Sequence, residues 1–468
     1  MQFSGATLSS GLPAGVTLQA IDGETMTSPT TMSNNYYSRN GYTFAASTSY
    51  NAGKSLWYAG YSWDDSRFFP IGCFFALYED AGDLPRMIAL QINVSVAVTG
   101  GSNDTNIANA GVWTIDQTTP NAAMVSCELD EPPDAATINS FFSTANARQD
   151  GRFMHVNWTV NQLTFGDMGG TSPAVWMAAN HFTTPNSTKK DIGWCSVDVY
   201  YFANSTIFQG TWDYHDADVF GVARPASTDQ RARGSHYGQQ VDVLRWWANG
   251  NTGGCRDIPD QSSLPPARMP LFSYLENYHG DMSEVDKRLI TPLELNWGVW
   301  SQIVHGARAI VYYDNITAHA FGSWFDTTIQ GGQSISIHDQ ALATNNLMIQ
   351  LAPVINSPFA KGFLTGVSPH GYLFPVYELN WLNGGIEACA KWYQGGNVTN
   401  AGLALKNGFY IFATTRASES LTNISATFTV ARGTLATVVG ESRTINIVGG
   451  QFTDTFANAW TVHIYQIS

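Results

Sequence analysis

From residue 68 onward the chain is a succession of short apolar, β-branched and aromatic runs spaced by polar stretches. The runs are FFPIGCFF (68–75), INVSVAV (92–98), AGVWTID (110–116), AMVSCELDE (123–131), RFMHVNWTV (152–160), GWCSVDVYYF (193–202), MPLFSYLENY (269–278) and ARAIVYYDN (307–315). Near-continuous apolarity, in place of strict alternation, predicts strands of a parallel sheet buried on both faces. Two intervening stretches carry helical signals: DAATINSFFSTANARQ (134–149) and TPLELNWGVWSQIVHG (291–306). The second sets Leu295, Val299, Ile303 and Val304 on one stripe and opens on Thr291 and Pro292, a cap-like start. Eight strands with interleaved helices predict an α/β fold, a (β/α)8 TIM barrel over residues 63–358. Period counting alone also fits an open sheet, and the helix between the second and third runs is poorly marked.

The flanks have a different texture. Residues 1–62 are rich in Ser, Thr, Asn, Gly and Tyr with two β-like runs, GVTLQAID (15–22) and GYTFAAS (41–47). Residues 359–468 read as a β-sandwich accessory domain, with NGFYIFATTR, NISATFTV, TLATVVG, RTINIVGGQFTDTF and AWTVHIYQI separated by turn residues. The β-rich N-terminal segment is expected to pack with this sandwich.

Composition narrows the function classes. Of 468 residues only 13% are charged and 44% are hydrophobic, which excludes disorder as the general state. A net charge of −14 with 23 basic residues and no basic stripe speaks against nucleic acid as partner. The five cysteines include no C-x-x-C pair, so reduced core cysteines are favoured over disulfides or a metal site. No metal or nucleotide motif is present, and no cofactor is expected. The first residues, MQFSGATLSSGLPAG, lack a basic region followed by an apolar one, so no signal peptide is expected. No apolar run of membrane-spanning length occurs either, and neither membrane insertion nor export is expected.

The chemistry is concentrated in two glutamates. Active sites of (β/α)8 proteins lie at the C-terminal strand ends. Glu131 closes the fourth predicted strand and Glu276 the seventh, so the two face each other across the barrel mouth. Paired carboxyls suit glycosidic cleavage: one gives a proton to the leaving oxygen, the other attacks or stabilises the oxocarbenium-like centre. The plainer reading of any strand-end carboxylate is a solvated group or a helix cap. Within ELDE, alternation puts Glu128 and Asp130 on one face and Glu131 on the other, an inference loosened by the prolines that follow. Glu131 is the candidate and Asp130 the reserve. Candidate substrate contacts are Asn157 and Trp158 on the fifth strand, Asp198 and Tyr200 on the sixth, and Tyr274 and Asn277 beside Glu276. Tyr312 and Asp314 on the eighth strand and Trp113 on the third, a possible sugar floor, complete the set. WDYHDADVF (212–220), which bunches His215 with three aspartates, reads as a solvated loop in preference to a metal site, and RPASTDQRARGSHYG (224–238) as either a rim contacting an acidic glycan or plain surface.

ELDEP (128–132), where Asn-Glu-Pro is usual, and FSYLEN (272–277) resemble the two catalytic strands of clan A glycoside hydrolases, and residues 291–314 resemble their final helix and strand. FFPIGCFF, together with VVGESRTINIVGGQFTDTFANAWTVHIYQI (438–467), is similar to glycosidase-like minor tail proteins of actinobacteriophages. The resemblance implies a retaining glycoside hydrolase with Glu131 as acid/base and Glu276 as nucleophile. It further implies a virion location and a bacterial surface polysaccharide, such as arabinan or galactan, as substrate. Partners would then be other tail proteins or further copies of the chain. Without the resemblance, a cytoplasmic enzyme is expected. Asp130 departs from the clan's pattern, standing where an Asn contacts the sugar 2-hydroxyl. The rival reading is a non-catalytic glycan-binding or structural tail protein on a barrel scaffold, which an occluded Glu276 would favour.

Overall fold

The structure, a computed structural model, describes residues 12–19, 57–58, 61–62, 67–74, 83–98, 106–107, 110–116, 124–147, 153–159, 194–198, 237–238, 240–241, 244, 271–276, 290–313, 327–329, 332–365, 377–379, 386–415 and 422–468. Eight parallel strands close into a barrel: β1 (Ile71–Phe74), β2 (Val94–Val98), β3 (Trp113–Asp116), β4 (Met124–Asp130), β5 (Phe153–Thr159), β6 (Trp194–Asp198), β7 (Leu271–Glu276) and β8 (Ala309–Tyr313). Each pairs with its successor, and β8 closes on β1. Each strand lies within one of the eight apolar runs, as a (β/α)8 fold requires.

Alternation sorts the side chains of each strand into two sets. Ile71, Cys73, Val156, Trp158, Cys195, Val197, Leu271, Leu275, Ile310 and Tyr312 face outward and join the helices in one apolar cluster. Phe74, Tyr274 and Tyr313 face inward, with the Phe74 and Tyr274 rings edge to face at 5.3 Å. Gly72 sits inside too, where a Cβ would lie 3.1 Å from Val311 and 3.3 Å from Val96.

The described helices are α1 (Asp83–Ala89), α2 (Ala135–Ala147), α3 (Pro292–Val304) and α4 (Ile337–Ile355). Asp134 starts α2 by accepting from the Thr137 amide at 2.7 Å. Thr291 and Glu294 form a reciprocal capping box on α3 with Pro292 in its first turn. Almost every residue of α3 is buried, as expected of a helix with apolar residues on all sides. One side meets the barrel, where Gly298 lets Leu275 approach: a Cβ there would be 3.0 Å from Leu275 Cδ1. Among the described residues no helix is long and apolar enough to cross a membrane.

The other side of α3 meets the first of two antiparallel sheets. It contains β9 (Ile386–Tyr393), β10 (Gly408–Thr415), β12 (Leu435–Val438), β13 (Arg443–Asn446) and β15 (Val462–Ile467). The second pairs β11 (Thr422–Val430) with β14 (Gln451–Asn458), both with burial alternating at period two. Their facing sides share a core in which Tyr465 of the first sheet packs against Phe428 and Phe452 of the second, at 5.2 and 5.1 Å. Thr17–Gln19 adds an antiparallel strand through Phe359–Lys361, which in turn pairs with β9.

At the barrel–sandwich boundary His305, the C-cap of α3, pairs with Glu387 of β9 at 2.9 Å, both fully buried. Gly238 abuts the imidazole so closely that a Cβ would lie 2.0 Å from His305 Cδ2. Gly238→Ala must therefore displace the ring and disrupt its buried contact with the Glu387 carboxylate. We expect a loss of about 2–4 kcal/mol in urea unfolding. A midpoint equal to wild type would contradict this packing.

Candidate active site

The inner surface of β4, β5 and β6 is polar. Glu128 and Asp130, His155 and Asn157, Ser196 and Asp198 occupy alternate positions, and the register sets Glu128 beside His155, Asp130 beside Asn157 and Asn157 beside Ser196. Tyr274 of β7 crosses the barrel to donate its hydroxyl proton to Glu128 Oε1 at 3.1 Å. The inward faces of β4 and β7 thus converge. Two residues further along each strand, towards the C-terminal ends, come Asp130 and Glu276.

Hydrogen bonds tie the polar set together. Ser196 Oγ donates to Asn157 Oδ1 at 2.6 Å, and His155 Nε2 contacts Ser196 Oγ at 2.6 Å. Asn157 Nδ2 donates to Asp130 Oδ1 at 2.9 Å and its side chain also bonds Asp198. Glu131 follows the strand with φ +40°, a left-handed conformation a non-glycine residue rarely adopts. Its amide still donates to the Asn157 carbonyl at 3.1 Å, and its exposed carboxyl hydrogen-bonds Asp198. The left-handed turn breaks the strand's alternation, so Glu131 shares a cluster with Asp130 and Asp198 instead of facing the opposite side.

Burial and crowding set the protonation of this cluster. Burial raises the Asp130 carboxyl to about 6, opposed by the Asn157 hydrogen bond and aided by the charge of Glu131. Asp198 is pushed well above the usual carboxylate range, by burial first and then by Glu131 and Asp130. The His155 imidazole, fully buried, is pushed down to about 3 and is neutral at ordinary pH. Burial, then the charges of Glu128, Asp130 and Asp198, hold the Tyr274 phenol in its neutral form.

The raised Asp130 has a consequence for stability. Its folded pKa of about 6 exceeds the usual 3.8, so the native state holds a proton that the unfolded chain releases. The stability it contributes is complete below pH 3.8 and is lost as pH rises through about 6. We expect wild type to lose on the order of 2 kcal/mol more than Asp130→Asn between about pH 4 and pH 7.5. Parallel pH dependences of the two denaturation midpoints would contradict the raised carboxyl.

The structure sorts the sequence candidates. Glu131, Asp130, Asn157 and Asp198 come together, Tyr274 lies one layer below, and Glu276 ends β7 on the same inward face, 0% exposed. Trp158 points outward: its ring is buried among helix-facing residues and its Nε1 donates to Cys195 Sγ at 3.0 Å. Tyr312 is also outward, its hydroxyl donating to Asn345 Oδ1 of α4 at 2.8 Å. Both are packing residues, because the strand phase turns them away from the mouth. Trp113 is fully buried at the first position of β3, the barrel end remote from the mouth, and so cannot floor a subsite there. Tyr200, Asn277 and Asp314, the stretch 212–220, and 224–238 apart from Tyr237 and Gly238, lie outside the described residues. His155 and Ser196 were not singled out from the sequence, and Glu128 entered only as a competitor of Glu131 within ELDE. Their signal was present, as polar residues at i and i+2 inside otherwise apolar strands.

No protein-family profile matches the chain, and no characterised protein matches it in sequence. Solved structures that it is similar to include a glycoside hydrolase, at 11% identity and TM-score 0.45 over 86% of this chain and 93% of that one. A glycoside hydrolase family 5 protein from Bacteroides vulgatus follows at 10% identity and TM-score 0.42, over 85% and 89%. An α-amylase from Geobacillus thermoleovorans, complexed with acarbose, gives 11% and 0.34 over 86% and 98%. Likeness at this level speaks for neither substrate nor mechanism.

Proposed function

We propose that the chain is a retaining glycoside hydrolase in which Glu131 is the acid/base and Glu276 the nucleophile. The observation that carries the reading is the Tyr274–Glu128 hydrogen bond across the barrel. It spans the lumen between the strands that bear the two glutamates, one layer beneath their C-terminal ends. Glu131, exposed and beside protonatable carboxyls, is suited to exchange a proton with a leaving oxygen and then with water. Glu276, on the opposite strand, is suited to attack the anomeric carbon from the other side. Asp130, Asn157 and Asp198 would line the cleavage point, with Asp130 offering an acid group on the substrate side. The sequence resemblance to glycosidase-like tail proteins suggests a bacterial surface polysaccharide, arabinan or galactan, as substrate, and a phage tail as setting.

The test is incubation with a panel of cell-wall polysaccharides, followed by NMR of the first-formed product. Retained anomeric configuration is expected, as for carboxyls about 5–5.5 Å apart; inversion would point to about 6.5–9.5 Å and a water between them. The complete burial of Glu276 favours a second reading, a barrel that binds glycan without cleaving it. Binding of a panel member without any product would select that reading.

A further inference from the structure

The hydrogen bonds beneath the mouth run in one direction. Ser196 has a single hydroxyl proton and gives it to Asn157 Oδ1. With that proton given away, the contact with His155 Nε2 is one that the imidazole donates, while His155 Nδ1 lies 3.6 Å from Glu128 Oε1. In this orientation Asn157 Nδ2 donates to Asp130 Oδ1 at 2.9 Å, and its side chain also bonds Asp198. His155, Asn157 and Ser196 are all fully buried. Such a chain costs stability unless every member is satisfied, so its presence beneath a carboxyl pair calls for a reason. Asp198 is the member that touches Glu131, and two carboxyls in hydrogen-bond contact need one proton between them.

We propose that Asp198 is the positioning residue of Glu131, sharing one proton with it at the barrel mouth and held in place by the His155–Ser196–Asn157 chain. The inference rests on the reading of Glu131 as acid/base. In the first half-reaction the shared proton leaves on Glu131 for the departing glycosidic oxygen, and both carboxyls are then ionised. In the second, Glu131 takes a proton from the attacking water, and the pair returns to its singly protonated state. Among the described residues, the other titratable groups on these strands are Glu128 and Asp130 from β4, His155 from β5, and Tyr274 and Glu276 from β7. His155 and Tyr274 stay neutral through the working range, which leaves the carboxyls to set the pH response.

The experiment uses the full chain labelled with ¹³C at aspartate carboxyls, titrated by NMR, with Asp198→Asn to assign the signal. In Glu131→Gln the Asp198 titration is expected to fall by about one pH unit or more, because the neighbouring anion is gone. An unmoved titration overturns the proposal. In parallel, Asp198→Asn is assayed on whichever wall polysaccharide wild type cleaves. The high-pH limb of kcat/KM is expected about one unit lower, whereas a merely structural role would lower the rate equally at every pH. An unmoved limb overturns the positioning role and leaves the hydrolase reading standing. A coupled titration with no glycan cleaved leaves the shared proton standing and removes the hydrolase reading alone.

Discussion

Glu276→Gln is expected to lower turnover of any glycan that the wild type cleaves by a factor on the order of 10⁴ or more, with little change in KM. Glutamine has the shape and volume of glutamate, so the packing around the last residue of β7 is preserved. On the proposed reading, what disappears is the oxygen that would form the covalent intermediate, a contribution made in the transition state and not in ground-state binding. Glu276 is 0% exposed, and a neutral amide is easier to bury than a carboxylate, so the variant should unfold no more readily than wild type. Loss of turnover with intact stability and intact glycan binding identifies a nucleophile. Turnover within a few-fold of wild type would remove Glu276 from the chemistry and leave the barrel as a binding scaffold.

The eight strands were legible because a parallel strand buried on both faces leaves an unbroken apolar run. Helix α3 was legible for a different reason: its Thr291-Pro292 start and its stripe are both local signals. Helix α4 was not foreseen. Its sequence, IHDQALATNNLMIQLAPVI, carries two adjacent asparagines and an internal proline, which weaken local helix preference. Burial of Ala341, Met348, Leu351, Ala352 and Ile355 decides the matter, and that is a tertiary effect. The site follows the same division. Strand ends could be located from the runs, and that is what put Glu131 and Glu276 forward as candidates. Strand phase could not be read from aromatics alone, since they fill both the lumen and the helix-facing layer, and so Trp158 and Tyr312 were assigned to the wrong side. The alternate polar positions of β4, β5 and β6 would have fixed the phase, because a hydrogen-bonding residue repeated at period two inside a buried strand must face other polar groups.

Trp297→Ala should cost about 3–5 kcal/mol of stability, the largest loss expected for a single substitution at the seam between barrel and sandwich. Trp297 is 0% exposed on α3, packs edge to face on Trp460 at 4.9 Å and on Tyr237 at 5.8 Å, and donates its indole N–H to the Thr415 carbonyl at 2.8 Å. Truncation removes a large apolar volume on both sides of the seam and strips a buried carbonyl of its donor. The two losses separate in Trp297→Phe, which keeps most of the ring contact and loses the N–H, and should cost only about 1–3 kcal/mol more than a conservative core swap. Urea unfolding of the three proteins, read at matched pH, tests both parts. If phenylalanine proves as damaging as alanine, the hydrogen bond to Thr415 and not the ring packing holds the seam. If alanine is tolerated within about 1 kcal/mol, barrel and sandwich are joined elsewhere, and among the described residues the buried His305–Glu387 pair and the Trp300–Phe412 ring pair are candidates for that role.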